Sequence, residues 1–169
     1  MIGKAFALAL GLGVVVHVAL AEEERISFPA NYSTKFHNYL SLDRVQNEDQ
    51  IIRLFANDVA LDAAREGREL PNGSVIVGEV YKAKKDKDGN VMESSLGRRV
   101  RDKLAAIAVM EKGEGWGATF SEDLRNGDWD FAIFSPDGKR LKKDLNACRS
   151  CHAPLKQMQH LFSFEHLGR

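Results

Sequence analysis

The only two cysteines of this 169-residue chain stand three positions apart and are followed at once by a histidine, as Cys148-Arg149-Ser150-Cys151-His152. C-x-x-C-H is the attachment signature of c-type haem. The spacing has a mechanical reason: two thiols add to the two vinyl groups on one edge of the porphyrin, and the adjacent imidazole swings beneath the ring as an axial iron ligand. One short turn near the C-terminus thus fixes both the ring and one coordination position. The cofactor expected is a single haem, covalent through Cys148 and Cys151, with His152 as the metal ligand.

Three other readings compete. A thioredoxin-like dithiol opens a helix with most of a βαβ fold still to come, whereas only 18 residues follow Cys151. A zinc site would need further ligands and would have to recruit His37, His160 and His166. A disulfide across two residues closes so small a loop that its stabilisation would be slight.

The N-terminus bears on the compartment. Lys4 precedes an apolar run from Ala5 to Val18, then Ala19-Leu20-Ala21 and the acidic Glu22-Glu23-Glu24. This reads as a signal peptide cleaved after Ala21, leaving a periplasmic chain of residues 22–169. An uncleaved anchor is the alternative, but the run is short for a span of about 20 residues. Covalent haem attachment in bacteria also happens outside the cytoplasm. With 24 basic and 24 acidic residues there is no electrostatic footprint for nucleic acid, and no second apolar stretch is long enough to span a membrane.

The rest reads as one domain of mixed periodicity. Phe36, Tyr39 and Leu40 suit a helix over 33–42 after Pro29. Residues 50–56 read as a strand with Ile51, Arg53 and Phe55 on one face. Asn57 is the N-cap of a helix through Leu61 and Ala64, stopped at Gly67. Leu70-Pro71-Asn72-Gly73 is a turn, and 74–84 reads as the longest strand, folded back by the Asp-Gly turn within 86–90. Residues 104–110 suit a buried strand; 116–120 and 129–134 are further strands, the last ended by Pro136-Asp137-Gly138. Asp144 caps a short helix that carries the haem motif.

In this order, Ile52-Arg53, Asn57, Leu70-Pro71-Asn72-Gly73-Ser74-Val75-Ile76-Val77 with Glu79, Gly127-Asp128-Trp129-Asp130-Phe131 running to Phe134, and the final C-x-x-C-H make a chain that resembles the cytochrome P-460 family, which includes the β-type cytochromes c′. The resemblance spans about residues 28–164. It implies an α+β fold, a mainly antiparallel sheet with short flanking helices, usually a homodimer, with one haem, His152 as proximal ligand and an open distal side.

The sequence departs from the hydroxylamine-oxidising members at two points. They carry a lysine, cross-linked to the porphyrin, just before the glutamate matched by Glu79; here that residue is Gly78, which has no amine. Lys82 and Lys84 share its strand parity but lie about 13 and 20 Å further along at roughly 3.3 Å per residue. Those members also carry a distal carboxylate on the strand matching 104–110, near Ile107, and that stretch has none here. Proton removal from a bound substrate would fall to water or Arg53.

Arg53 matches a family arginine on the distal side and competes with a solvent-facing reading. Phe55, Trp129 and Phe131 are the aromatics expected near the ring, though aromatics at strand spacing are core residues first. Met92, Met110 and Met158 are possible sixth ligands or simple packing. Asp86-Lys87-Asp88-Gly89-Asn90 lacks the closing glutamate of a calcium loop. Lys139, Arg140, Lys142 and Lys143 would either dock an acidic redox partner or form a solvated turn face. The expectation is therefore a haem protein binding NO or a related small nitrogen oxide, or handling electrons. Its alternatives are an oxidoreductase acting on hydroxylamine or peroxide, and a six-coordinate electron carrier.

Overall fold

The computed structural model describes residues 24–169. The expected signal peptide lies outside the described residues. Five strands, β1 (His37–Asp43), β2 (Gln50–Ala56), β3 (Val75–Ala83), β4 (Arg101–Lys112) and β5 (Trp129–Phe134), form one antiparallel sheet in chain order. Four short helices flank it: α1 (Tyr32–Lys35), α2 (Asp58–Arg65), α3 (Asn146–His152) and α4 (Phe164–Leu167). This is the α+β, mainly antiparallel architecture expected from the sequence.

β2 and β5 have the expected limits, because each is a run of strand-forming residues ended by a strong stop signal, the Asn57 cap after β2 and the Pro136-Asp137-Gly138 turn after β5. Asn57 caps α2, its Oδ1 accepting from Ala60 N at 3.2 Å, and Gly67 ends it with φ +67°. The same Oδ1 accepts from Val75 N at 3.0 Å and the Asn57 amide donates to Gly73 O at 2.8 Å, so one side chain joins α2 to the start of β3.

Three elements differ from expectation. The helix over 33–42 ends at Lys35, and the rest is strand. The register jumps between Asn38 and Leu40, so Tyr39 joins the same side of the sheet as Leu40, and this bulge disguises the two-residue period. The longest strand is β4, at 12 residues, rather than the nine-residue β3. Residues 116–119 form a 3-10 turn instead of a strand. Trp116 folds back over Gly113, where a Cβ would stand 2.1 Å from the indole.

Cross-strand pairing sorts the side chains into two faces. On one, Phe55, Val77, Ile107, Val109, Ala132 and Phe134 pack under Ile26 and Tyr32 of the N-terminal segment. On the other, Ala56, Ile76, Met110 and Phe131 pack against Ala60, Leu61 and Ala63 of α2 and against Leu161 and Leu167. Rows of paired residues continue this second face: Leu40, Leu54, Gly78, Ala108 and Ile133, then Leu42, Ile52, Val80 and Ala106. Of these nine, only Gly78 and Val80 are buried; the rest are half-exposed.

Candidate haem-binding site

α3 presents the C-x-x-C-H motif to the second face. Cys148 is half-buried against the cluster of Ala56, Ile76, Met110 and Phe131, and Cys151 is exposed. The Asp144 carboxylate accepts from Asn146 N at 2.9 Å, but α3 begins with Leu145 at its N-cap and no side-chain cap there, so Asp144 does not cap the helix as the sequence predicts. Between the cysteines Arg149 turns inward: it is 3% exposed, and its Nη2 donates to Asp130 Oδ1 at 2.8 Å. Its guanidinium lies 4.2 Å from the centroid of Phe120, and its carbonyl accepts from the buried Asn126 amide at 3.1 Å. Asp130 precedes Phe131 on β5, so this ion pair fixes the motif against that strand.

His152 sits between two rings, with Phe131 at 5.2 Å and Phe162 at 4.9 Å, both edge-on. Its Nδ1–H donates to the His160 carbonyl at 2.7 Å, and His160 Nδ1 donates back to the His152 carbonyl at 3.2 Å. With the proton held on Nδ1, the lone pair is on Nε2, the tautomer a metal ligand requires. Burial pushes the imidazole below its ordinary pKa, outweighing the bond to His160, so the neutral form is favoured. Burial pushes the Cys148 thiol up, with the charges of Arg149 and then Arg44 pulling the other way.

Beyond Phe131 and Met110 the face continues as a half-exposed apolar surface. Leu40, Leu54, Gly78, Ala108 and Ile133 lie across it in one row, with Ile52 and Ala106 beyond. A Cβ at Gly78 would come within 3.1 Å of Ile52 Cδ1 and 3.4 Å of Leu54 Cδ2, so these two side chains close over the glycine and bury it. Arg44, just after β1, pairs with Gln50 of β2, and is near enough to Cys148 for its charge to act on the thiol. Arg44 N donates to Gln50 O at 3.0 Å, and their side chains are bonded at 2.6 Å. A half-open apolar sheet face beside two thiols and a correctly protonated imidazole fits a flat apolar macrocycle tethered at one edge.

The expected site residues divide between the two faces. Cys148, Cys151, His152 and Phe131 come together. Arg53 and Phe55 share a face, as strand parity requires, but it is the opposite one. Arg53 donates to Glu79 Oε2 at 3.2 Å and lies 5.0 Å from the Phe55 ring, while Phe55 packs on Tyr32. The alternation that groups them also turns them from α3, and a single strand does not say which side a later helix will cover. Ile107 likewise faces away, leaving Ala106 and Ala108 on the apolar face. This also explains why the 104–110 stretch, expected to be buried throughout, is half-exposed at Leu104, Ala105, Ala106 and Ala108.

Met110 is core beneath Phe131, and Met92 lies exposed in the β3–β4 connection. The sequence reading did not assign Arg149 or the Gln159–His160 turn. A charged residue inside the haem motif was the available signal for the first; no local pattern marked the second. Among the described residues no three His, Cys, Asp or Glu side chains gather as a metal cluster, so His37, His160 and His166 do not assemble around the cysteines.

A family model described as Cytochrome P460 matches residues 29–163, most of the chain. No curated protein matches it.

Proposed function

The chain belongs to the cytochrome P460 family and is therefore a haem-binding cytochrome; we propose that it is an exported mono-haem c-type cytochrome that takes NO or a related small nitrogen oxide on an open axial position. The observation that carries this reading is an apolar row: Leu40, Leu54, Gly78, Ala108 and Ile133 pair across the sheet on the face that Cys148 packs against, and none of their side chains has an atom able to ligate iron. Haem iron supplies reversible one-electron exchange and an axial site for small ligands.

The chain's residues have distinct tasks. Cys148 and Cys151 are the thioether anchors, and His152 offers Nε2 as the proximal ligand. The His160 carbonyl holds the imidazole's orientation and tautomer. Arg149, paired with Asp130, keeps the anchoring turn against β5. The apolar row offers a ligand no charged or hydrogen-bonding side chain, and so favours small neutral ones.

Oxidation of hydroxylamine is less well supported, because it requires a group that accepts a proton. The apolar row holds no carboxylate, Arg53 is on the opposite face, and Gly78 has no amine for a porphyrin cross-link. Export to the periplasm rests on the Ala5–Val18 run, and a homodimer on the family resemblance.

Mass spectrometry of the protein expressed with export and haem-attachment machinery tests the tethering. Two thioether links, to Cys148 and Cys151, and no lysine adduct are expected. Haem released by acid–acetone extraction, or a third covalent link, would overturn it.

A further inference from the structure

The turn that supplies the His160 carbonyl is built from two consecutive non-glycine residues in the left-handed region, Gln159 at φ +49° and His160 at φ +63°. Such backbone is disfavoured for a residue carrying a Cβ and persists only where its surroundings over-determine it. Two contacts do so. His160 N donates to Leu155 O at 2.8 Å, closing the turn on itself. Gln159 Oε1 accepts from Leu70 N at 2.7 Å, across 89 residues of sequence.

Leu70 is itself immobilised. Its side chain is fully buried, and its carbonyl accepts from Lys112 Nζ at 2.7 Å, at the end of β4. Lys112 is held in turn by Glu69 Oε1 at 2.7 Å and by pairing with Trp129 of β5. A continuous set of contacts therefore runs from the β4–β5 end through Leu70 and the Gln159 amide to the strained turn, and from the His160 carbonyl to His152 Nδ1. The turn could relax only by releasing Leu70 N–H, and relaxation would move the carbonyl that His152 bonds.

We infer that Gln159 is a positioning residue for the iron ligand: by tying the strained turn to Leu70 it keeps the His160 carbonyl on His152 Nδ1–H and so sets how strongly His152 donates to the metal. This rests on His152 being the proximal ligand. A strong Nδ1–H···O=C bond raises the basicity of the other ring nitrogen. A more basic ligand stabilises the ferric state, so weakening the bond raises the midpoint potential and softens the iron–histidine bond.

The test uses the haem-loaded protein and two substitutions. Gln159→Met keeps the length but removes the acceptor; Gln159→Glu keeps an oxygen for Leu70 N–H. The readouts are Leu70 amide hydrogen exchange, the ferrous iron–histidine stretching band and the midpoint potential. Gln159→Met should speed Leu70 exchange at least tenfold, lower the band frequency and shift the potential upward, while Gln159→Glu stays near wild type in exchange and band. Faster Leu70 exchange with band and potential unmoved would overturn the inference, as would equal band shifts in both variants. A wild-type band that survives in His152→Ala would instead place the failure in the ligand assignment.

Discussion

Ser150 is exposed, whereas its neighbour Arg149 is only 3% exposed and bonded to Asp130, itself 5% exposed. Without Arg149 the Asp130 carboxylate keeps Arg25 Nη1 at 3.9 Å and the Phe131 N–H at 2.7 Å, so the loss falls below the about 3–5 kcal/mol of an uncompensated buried charge. Arg149→Ala should lower unfolding stability by about 2–3 kcal/mol in denaturant titration of the holoprotein; a loss under about 1 kcal/mol would show that the pair does not anchor α3. The C-x-x-C-H spacing made Cys148, Cys151 and His152 legible as candidates. Arg149 sat between them unread, because only the folded chain shows which way a residue between two anchors points. At Gly78 the expectation is graded. Gly78→Ala needs Ile52 Cδ1, 3.1 Å from the added Cβ, to shift slightly, and stability should stay within about 1 kcal/mol. Gly78→Phe forces Ile52 and Leu54 aside and raises a ring above the apolar row, and absorbance per protein should show haem incorporation falling several-fold; normal incorporation would place the porphyrin elsewhere.

At the scale of elements, capping and loop attachment explain which segments form. Asn57 satisfies Ala60 N and Val75 N and donates to Gly73 O, so Asn57→Ala should cost about 2 kcal/mol, more than a cap alone, with Asn57→Asp recovering the two accepted bonds. The long β3–β4 connection is tied to the end of β1 by Arg98 Nε and Asp43 Oδ2 at 3.0 Å. Burial pushes the Asp43 carboxyl up, but the hydrogen bonds from Arg98 and Arg99 and their charges outweigh it, leaving it below the usual carboxylate value. Its contribution is therefore complete above about pH 4 and is lost as pH falls through its depressed value. An acid titration of Asp43→Asn should show a shallower loss of stability below that pH than wild type, and an identical acid limb would contradict the assignment. Among the elements, β2, α2 and β5 were readable because strand-forming runs, an Asn cap and Gly or Pro stops agreed. β1 was not, because the bulge at Tyr39 breaks its period, and Tyr39 is then held from α4's side by Ser163 Oγ at 2.7 Å.

For the whole molecule, the sheet separates two tasks. One face binds the N-terminal segment through apolar packing and through Glu79, which accepts from Tyr32, Tyr81 and Arg53 at 2.9, 3.0 and 3.2 Å. The other face is closed by α2 and the C-terminal segment at one end and continues as a half-exposed apolar row. Strand parity made the grouping of residues legible, Arg53 with Phe55 and Gly78 apart from Glu79. It could not say which group would meet the haem motif, since that depends on how residues 135–145 lead α3 back across the sheet. The proposed function puts a His152-ligated haem on this face with an axial position free for a small neutral ligand, and optical spectra of the ferrous exported protein, before and after NO, decide it. A high-spin spectrum that converts on adding NO is expected; a low-spin spectrum indifferent to NO would mean that a side chain occupies that position and would refute the open site.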